Sequence, residues 1–457
     1  MCHTNDVKQK NFIQKLLIFI LLFVLSTEVF LFQISEVSKV QASNTPVQKE
    51  LFANFYWYYP WYGAHFKNAE GVWQYTENVN GNIGLQAFFW KPLDPIPYIN
   101  SHERSFGSSD DSRAKAWFKS SFERAGNAGL TSLAVMARPD LEKWPIALRQ
   151  MIEVQKELKA EGKKYPKIIL HYDGVEYWEK ISPNTGQLNS PGPDYDVIWA
   201  GTKLTFDTIN SLLTPEELPL YFITYPQSNT FPILIYRIEG NAHDFTSSDW
   251  WTTQLRTDFK STYPDKNIYI ILDDLWCNWD YGVNNTVHPR TCNGDNYYHY
   301  GGSWEGAVRS TRWVTPMIYS VGPGFNNDHI SPDDALNPVD REEGEYYKRN
   351  LDRAKNLGAD WIHIETFNFG EEGSAIDRTI EFEEKYLDLT RTFAQGFVST
   401  PSAALKTGDI DGNGSINIFD FNILVGDFKG SNMRSDLNND QKVDLFDFNI
   451  LVSNFGK

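Results

Sequence analysis

SLAVMARPDLEKWPIALRQMIEVQKELKAEGKKYPKIILHY, residues 132–172, decides how this chain is read. Ser132–Ala137 is a short apolar run suited to a strand. From Trp144 to Glu161, apolar residues recur at helical spacing among charged ones. Lys167–Tyr172 is a second apolar run. Strand, amphipathic helix and strand make one β/α unit.

The alternation continues on both sides. Strands are expected at Phe52–Tyr59, Pro232–Ile238, Ile268–Asp273, Trp313–Tyr319 and Trp361–Phe367, with a weaker one at Leu220–Tyr225. Helices are expected at Ala114–Ala125, Glu345–Leu357 and Ile376–Phe393. Seven or eight such units over residues 46–395 point to an α/β fold of the (β/α)8 TIM-like barrel type. A doubly wound sheet is the alternative, but no Gly-rich phosphate loop follows the first strand.

The 457 residues carry a net charge of -17. That balance opposes nucleic acid or an anionic membrane surface as partner. Hydrophobic residues are 41% and charged residues 22%, enough apolar content for a packed core. Aromatics reach 15%, and no Trp lies beyond Trp361, so the aromatic surplus belongs to the barrel region.

Lys8, Lys10 and Lys15 precede the apolar run Leu16–Leu25, and Val40-Gln41-Ala42 offers small residues for cleavage. Residues 1–42 therefore read as a signal peptide, with an uncleaved anchor as the alternative. Either way the expectation is a secreted or cell-surface protein, off the membrane once the signal is cut. Cys277 and Cys292 are then free to pair in an oxidising compartment, or to remain thiols.

The C-terminus carries a repeat. FDFNILV occurs at 419–425 and again at 446–452, each time after an oxygen-rich loop. In the first loop Asp409, Asp411, Asn413, Asn417 and Asp420 occupy positions 1, 3, 5, 9 and 12. Gly414 is at the turn, and Ser415 would give a backbone carbonyl. In the second loop Asp436, Asn438, Asp440, Asp444 and Asp447 repeat the spacing, with Lys442 at the carbonyl position and Gln441 in place of the glycine. This is EF-hand spacing. Calcium needs several hard oxygens on one point, and alternate residues of a 12-residue loop supply them. Two loops, each followed by a short helix, resemble the dockerin type I module over residues 407–457. That resemblance implies Ca2+ binding and docking onto a cohesin-type domain, although Ile418-Phe419 and Leu445-Phe446 stand where a Ser/Thr pair usually makes the contact. A calcium-stapled tail with no partner is the alternative. Residues 396–406, small and polar with one Pro, read as a linker.

In a barrel the functional groups sit at the C-terminal strand ends. Those ends read Tyr58-Tyr59-Pro60-Trp61, Arg138-Pro139-Asp140, His171-Tyr172-Asp173, Arg237 with Glu239, Asp273-Asp274-Leu275-Trp276, Tyr319 and Glu365-Thr366-Phe367-Asn368. Sugar rings stack on aromatic planes and pair their hydroxyls with carboxylates, and cleaving a glycosidic bond takes two carboxyl groups. No GxSxG elbow or HExxH zinc helix is present, and no cofactor is expected in the barrel.

Three stretches resemble the glycoside hydrolase family 99 and 71-like barrels. They are Tyr58–Gly63 (YYPWYG) with Trp73, Ser105–Leu130, and Thr366–Ile376 (TFNFGEEGSAI), which is similar to the family's T-F-N-E-x-x-E-G-T-x-I. The resemblance implies an endo-acting glycosidase on an α-linked polysaccharide or glycan, with Glu372 as general acid/base and Asn368 as the motif's asparagine. Phe369 stands where the family has its other catalytic glutamate, and a phenyl ring takes no proton. Glu371, Glu365, Glu239 and Asp274 are candidates for that role. Tyr58, Tyr59, Trp61, Asp173 and Trp276 are candidates for substrate binding beside Asn368. A non-catalytic glycan-binding barrel and a structural surface protein are the rival readings.

Overall fold

The fold is described on a computed structural model. It covers residues 47–57, 65–67, 73–75, 78–79, 82–83, 88, 91–97, 109–137, 143–173, 195–236, 248–273, 294–309, 314–326, 338–370, 372–398, 408, 410, 416–429, 435, 437 and 442–456. The signal-peptide segment, residues 399–406 of the linker expected at 396–406 and both cysteines of the expected pair lie outside the described residues, while residues 396 and 397 are helical rather than linker.

The chain opens with β1 (Glu50–Phe55), followed by two small antiparallel pairs. These are β2 (His65–Lys67) with β3 (Trp73–Tyr75), and β4 (Asn78–Val79) with β5 (Asn82–Ile83). Then come α1 (Ser109–Asn127), β6 (Ser132–Met136), α2 (Lys143–Ala160), β7 (Lys167–Asp173), α3 (Tyr195–Leu212), α4 (Leu218–Tyr221) and β8 (Thr230–Tyr236). The barrel region continues through α5 (Ser248–Thr262), β9 (Asn267–Asp273), β10 (Asn296–Tyr298), α6 (Gly302–Glu305), β11 (Val308–Arg309), β12 (Ile318–Val321), α7 (Glu345–Asn356), β13 (Trp361–Ile364) and α8 (Lys385–Phe397).

The main sheet has the order β10-β9-β8-β7-β6-β1-β13-β12-β11. All its pairs are parallel except β11 on β12. Removing β11 leaves eight parallel strands in chain order, with the first, β1, paired to the last, β13. That is the connectivity of a (β/α)8 barrel. The ladder is open only between β10 and β12, where Asn296 Nδ2 donates to the Pro316 carbonyl at 2.8 Å and bridges the gap.

Side-chain alternation sorts the strand residues into two cores. Phe52, Ala134, Ile169, Leu234, Ile271, Tyr298, Ile318 and Trp361 pack together inside the barrel, one from each of the eight strands. Their neighbours in sequence face the helices: in β1, Phe55 meets Trp117 and Phe122 of α1, with ring centroids 5.5 and 5.8 Å apart. Just beyond β1, Trp57 lies against Trp144 of α2 at 5.4 Å. These rings are almost fully buried, each worth roughly 1.5–3 kcal/mol of burial.

Three further sequence expectations are corrected. Leu220–Tyr225 is not a strand. Pro219 at the start of α4 suits the first turn of a helix, and only Phe222 makes a bridge, to Ile168. The helix expected from Ile376 begins at Lys385, because residues 377–384 form turns and Glu383 has φ +49°. The strand at Trp313–Tyr319 starts at Ile318. Finally, β10, α3 and α5 were not anticipated; Asn296–Tyr298 is only three residues long and offers no pattern to read.

In the C-terminal segment, α9 (Ile418–Asp427) and α10 (Leu445–Asn454) repeat one another. Each is capped by a reciprocal box, Asn417 with Asp420 and Asp444 with Asp447. Ile410, Ile416, Leu424, Val443 and Leu451 form their shared core. The two copies hold each other symmetrically: Lys429 N donates to Val443 O and Gly456 N to Ile416 O, both at 2.8 Å.

Candidate active site and C-terminal loops

Two residues beyond the apolar layer, the barrel interior turns polar. Asn54, His171, Tyr236, Asp273, Ser320 and His363 occupy the next inward positions of their strands, joined by Tyr300 just past β10. His171 is fully buried and Tyr298 lies 3.4 Å from its Nε2. Burial pushes His171 down to about 3, and burial together with His171 pushes His363 well below the usual imidazole range. Both rings are therefore neutral. His363 Nδ1 is 2.9 Å from the Ser320 hydroxyl. Asp273 accepts from the Tyr300 backbone N–H at 3.1 Å. Polar groups are costly here unless partnered, so their collection at the C-terminal strand ends marks the functional end of the barrel.

Glu365, one residue past β13, crowns this layer. It is fully buried. Its Oε2 accepts from the Ser303 backbone N–H at 2.5 Å, and its own N–H donates to Val321 O at 2.9 Å. Two glycines permit this. A Cβ on Gly302 would lie 2.3 Å from Val321 N, and one on Gly322 would lie 1.9 Å from Ser303 Oγ, so only bare backbone lets the Ser303 turn sit against β12. Burial, and after it the charge of Glu372, raises the Glu365 carboxyl to about 8 against the pull of Ser303 and the Tyr300 hydroxyl. Tyr300 is itself pushed well above the usual phenol range, by burial first and then by Tyr56, Glu365, Tyr236 and Glu372. Glu365 and Glu372 thus feel one another, with Tyr300 feeling both.

Glu372 sits on a tightly tied loop. Its carbonyl accepts from Asn326 N at 2.8 Å. Arg341 Nη2 donates to Gly373 O and Ala375 O, both at 2.8 Å, while its guanidinium lies 4.4 Å over Tyr386. Thr366 and Ser374 join hydroxyls at 2.9 Å across the loop's base. Asn368 accepts from Tyr56 N at 2.9 Å and donates to Tyr56 O at 3.1 Å, so its amide links the loop to the end of β1. Phe369 stacks on Tyr56 with centroids 4.4 Å apart.

Of the expected site residues, the structure brings together Glu365, Glu372 and Asn368. Asp173 ends β7 at the same end of the barrel. Tyr58, Tyr59, Trp61, Glu239, Asp274, Trp276 and Glu371 lie outside the described residues. Tyr300, Tyr56, Ser303 and Arg341 were not singled out from sequence. Tyr300 follows a strand too short to see, and Arg341 acts only through backbone carbonyls, which leave no sequence signal.

In the C-terminal loops Asp409, Asp411, Asn413, Ser415, Asp436, Asn438 and Asp440 lie outside the described residues. Asp420 and Asp447 are described and fully buried. Asp420 accepts from Ile410 N at 2.7 Å and Asn417 N at 2.8 Å; Asp447 accepts from Leu437 N and Asp444 N, both at 2.7 Å. Lys442 is exposed and just precedes the buried Val443. Both position-12 carboxylates therefore face their own loops. Such hard, loop-facing oxygens fit calcium.

Eight parallel strands around a mouth lined with acids and tyrosines define a (β/α)8 barrel with a carboxylate site. This chain belongs to the DUF5010 family, a domain of unknown function, whose profile matches residues 177–406, half of the chain. A glycoprotein endo-alpha-1,2-mannosidase-like protein of Danio rerio is 28% identical over 95 residues, covering 18% of this chain and 22% of that protein. The Homo sapiens protein of the same description is 30% identical over 96 residues, covering 18% and 21%. The chain thus spans about a fifth of the length of these curated relatives. A solved GH99 endo-alpha-mannosidase of Bacteroides thetaiotaomicron, in complex with BIS-TRIS-propane, aligns at a TM-score of 0.47 and 15% identity over 76% of this chain and 97% of that one.

Proposed function

We propose that this chain is a secreted glycoside hydrolase that cleaves an α-linked polysaccharide or glycan, endo-acting, and is tethered through its C-terminal module. The observation that carries this reading is the placement of two carboxyl groups past the last strand of the barrel, Glu365 buried against the Ser303 amide and Glu372 on the loop that Arg341 and Asn326 tie down. Glycosidic cleavage asks for two carboxyl groups, one giving a proton to the leaving oxygen and one assisting attack. Glu372, on the loop that resembles the family motif, is the proton donor. The candidate stacking residues Tyr58, Tyr59, Trp61 and Trp276 would meet the sugar faces.

The tail supports the tethering. Asp420 and Asp447 would join the loop residues Asp409, Asp411, Asn413, Ser415, Asp436, Asn438, Asp440 and Lys442 in holding calcium. When bound, the ion would neutralise the loop carboxylates and fix the module's fold. Ile418, Phe419, Leu445 and Phe446 are 53, 64, 65 and 49% exposed. An apolar surface of this kind suits a protein partner of the cohesin type.

A second reading rests on Phe369: a barrel that lacks the family's second glutamate at its usual place would bind glycan without cutting it. Incubating the whole chain with α-mannans and α-glucans separates the two. Released oligosaccharides support the hydrolase. Retention of a glycan with no release supports the binding barrel.

A further inference from the structure

We propose that Arg341 is a positioning residue for the proton donor: it fixes the backbone that follows Glu372, so that the carboxyl meets the leaving oxygen, and its effect falls on bond breaking and not on glycan binding. The proposal deepens the hydrolase reading and rests on it.

Three observations carry the assignment. First, Glu372 sits in a tight turn that Gly373 N closes on Gly370 O at 3.2 Å, and Gly373 follows it at φ +62°. The chain leaves this turn through the carbonyls of Gly373 and Ala375, and one nitrogen of Arg341 donates to both at 2.8 Å. Before them, the Glu372 carbonyl accepts from Asn326 N at 2.8 Å. These bonds fix the peptide units around Glu372 and so limit where its carboxyl can reach.

Second, both donors belong to one frame. Phe325 and Val339 pair through two backbone hydrogen bonds, at 3.1 and 2.9 Å, which brings Asn326 and Arg341 to the same loop. Gly324, at φ +135°, leaves the room: a Cβ there would lie 2.7 Å from Arg341 Cγ. The guanidinium is braced by the rings of Tyr386 and Phe382, 4.4 and 5.2 Å away.

Third, the chain is strained beside Arg341. Glu342, Glu343 and Gly344 follow it at φ +47°, +53° and +98°. Two of the three carry side chains, and ion pairs hold them, Glu342 with Arg349 and Glu343 with Lys385. Arg341 is 4% exposed, whereas Asp340 and Glu342 on either side are exposed. Backbone strain of this kind gathers at functional sites, where the surroundings enforce it.

Arg341 acts through the loop. Glu372 gives its proton to the glycosidic oxygen as the bond from that oxygen to the anomeric carbon breaks, the electron pair leaving with oxygen. Water supplies the hydroxyl to the anomeric carbon, and its remaining proton returns to Glu372. Glycoside and water go in, and two hydroxyl-bearing sugars come out. A donor displaced by about 1 Å loses about 10²-fold in such a step.

The kinetics of Arg341→Lys and Arg341→Met test this, on a cleaved α-mannan or α-glucan and on the α-fluoride of the same oligosaccharide. Lysine keeps the charge but loses the planar fork. Methionine keeps much of the volume without the donors. In either folded variant kcat on the glycan should fall about 10²-fold, with KM within about threefold of wild type. Fluoride leaves without needing a proton, so its release should stay within about threefold. Equal loss on both substrates, no loss on either, or a raised KM at unchanged kcat overturns the proposal. Hydrogen exchange of the whole chain needs no substrate. Faster exchange of the amides of residues 373–377 in either variant, with the barrel strands unchanged, supports the tether. Unchanged exchange in the loop, or exchange raised equally in the strands, contradicts it. If the wild type cleaves no glycan, the hydrolase reading fails, while the exchange result still decides whether Arg341 holds the loop.

Discussion

The ring of Phe369 lies on the ring of Tyr56, with centroids 4.4 Å apart and planes 19° from parallel. Phe369 is only 7% exposed and belongs to the main core. At this position the loop holds itself to the end of β1, helped by the two hydrogen bonds of Asn368 to Tyr56. Phe369→Ala should therefore cost about 3–5 kcal/mol of stability, read as a lower urea midpoint at unchanged slope. A variant as stable as the parent would show that the stack does not hold the loop.

At the opposite end of the barrel, Glu50 is 3% exposed and its Oε2 has no hydrogen-bond partner among the described residues. Burial raises it from 4.5 to about 7, with Thr131 and Lys167 opposing. The folded state therefore binds this proton more tightly than the unfolded chain. The stabilisation is full below pH 4.5 and is lost as pH rises through about 7, in order of magnitude about 3 kcal/mol. Glu50→Gln removes that titration. Its thermal midpoint should gain on wild type between pH 5 and pH 8. A gap independent of pH would contradict the buried, proton-binding state of Glu50.

Calcium removal should separate the two parts of the chain. The core of the C-terminal helices is small, five buried residues, and two buried carboxylates face the loops. Chelation should abolish a low-temperature calorimetric transition belonging to residues 407–457, and Asp420→Ala should do the same without chelator. The barrel transition should stay within about 0.5 kcal/mol of its original stability, the spread expected of parts that act independently. A tail transition indifferent to both treatments would remove calcium from the account.

The barrel was legible because β1, β6, β7, β8 and β9 are five to seven residues long and mostly apolar. The sixth strand was not, because Asn296–Tyr298 is too short to show a pattern. Glu372 and Asn368 were visible through the motif that surrounds them. Glu365 was visible only as one acid among several. Its distinguishing features are burial and the Ser303 amide, which depend on the close approach of Ser303 to β12 that Gly302 and Gly322 allow. Tyr300 and Arg341 act through contacts that no local pattern encodes.

The central claim is that Glu372 gives the proton that breaks a glycosidic bond. The direct measurement is oligosaccharide release from α-mannan and α-glucan by the whole chain and by its Glu372→Gln variant, at matched folding and with glycan retention measured alongside. The account predicts release by the wild type, a loss of roughly 10²–10⁴-fold in the variant, and glycan binding kept. Release undiminished in the variant, or none by the wild type on any glycan that it binds, would contradict it.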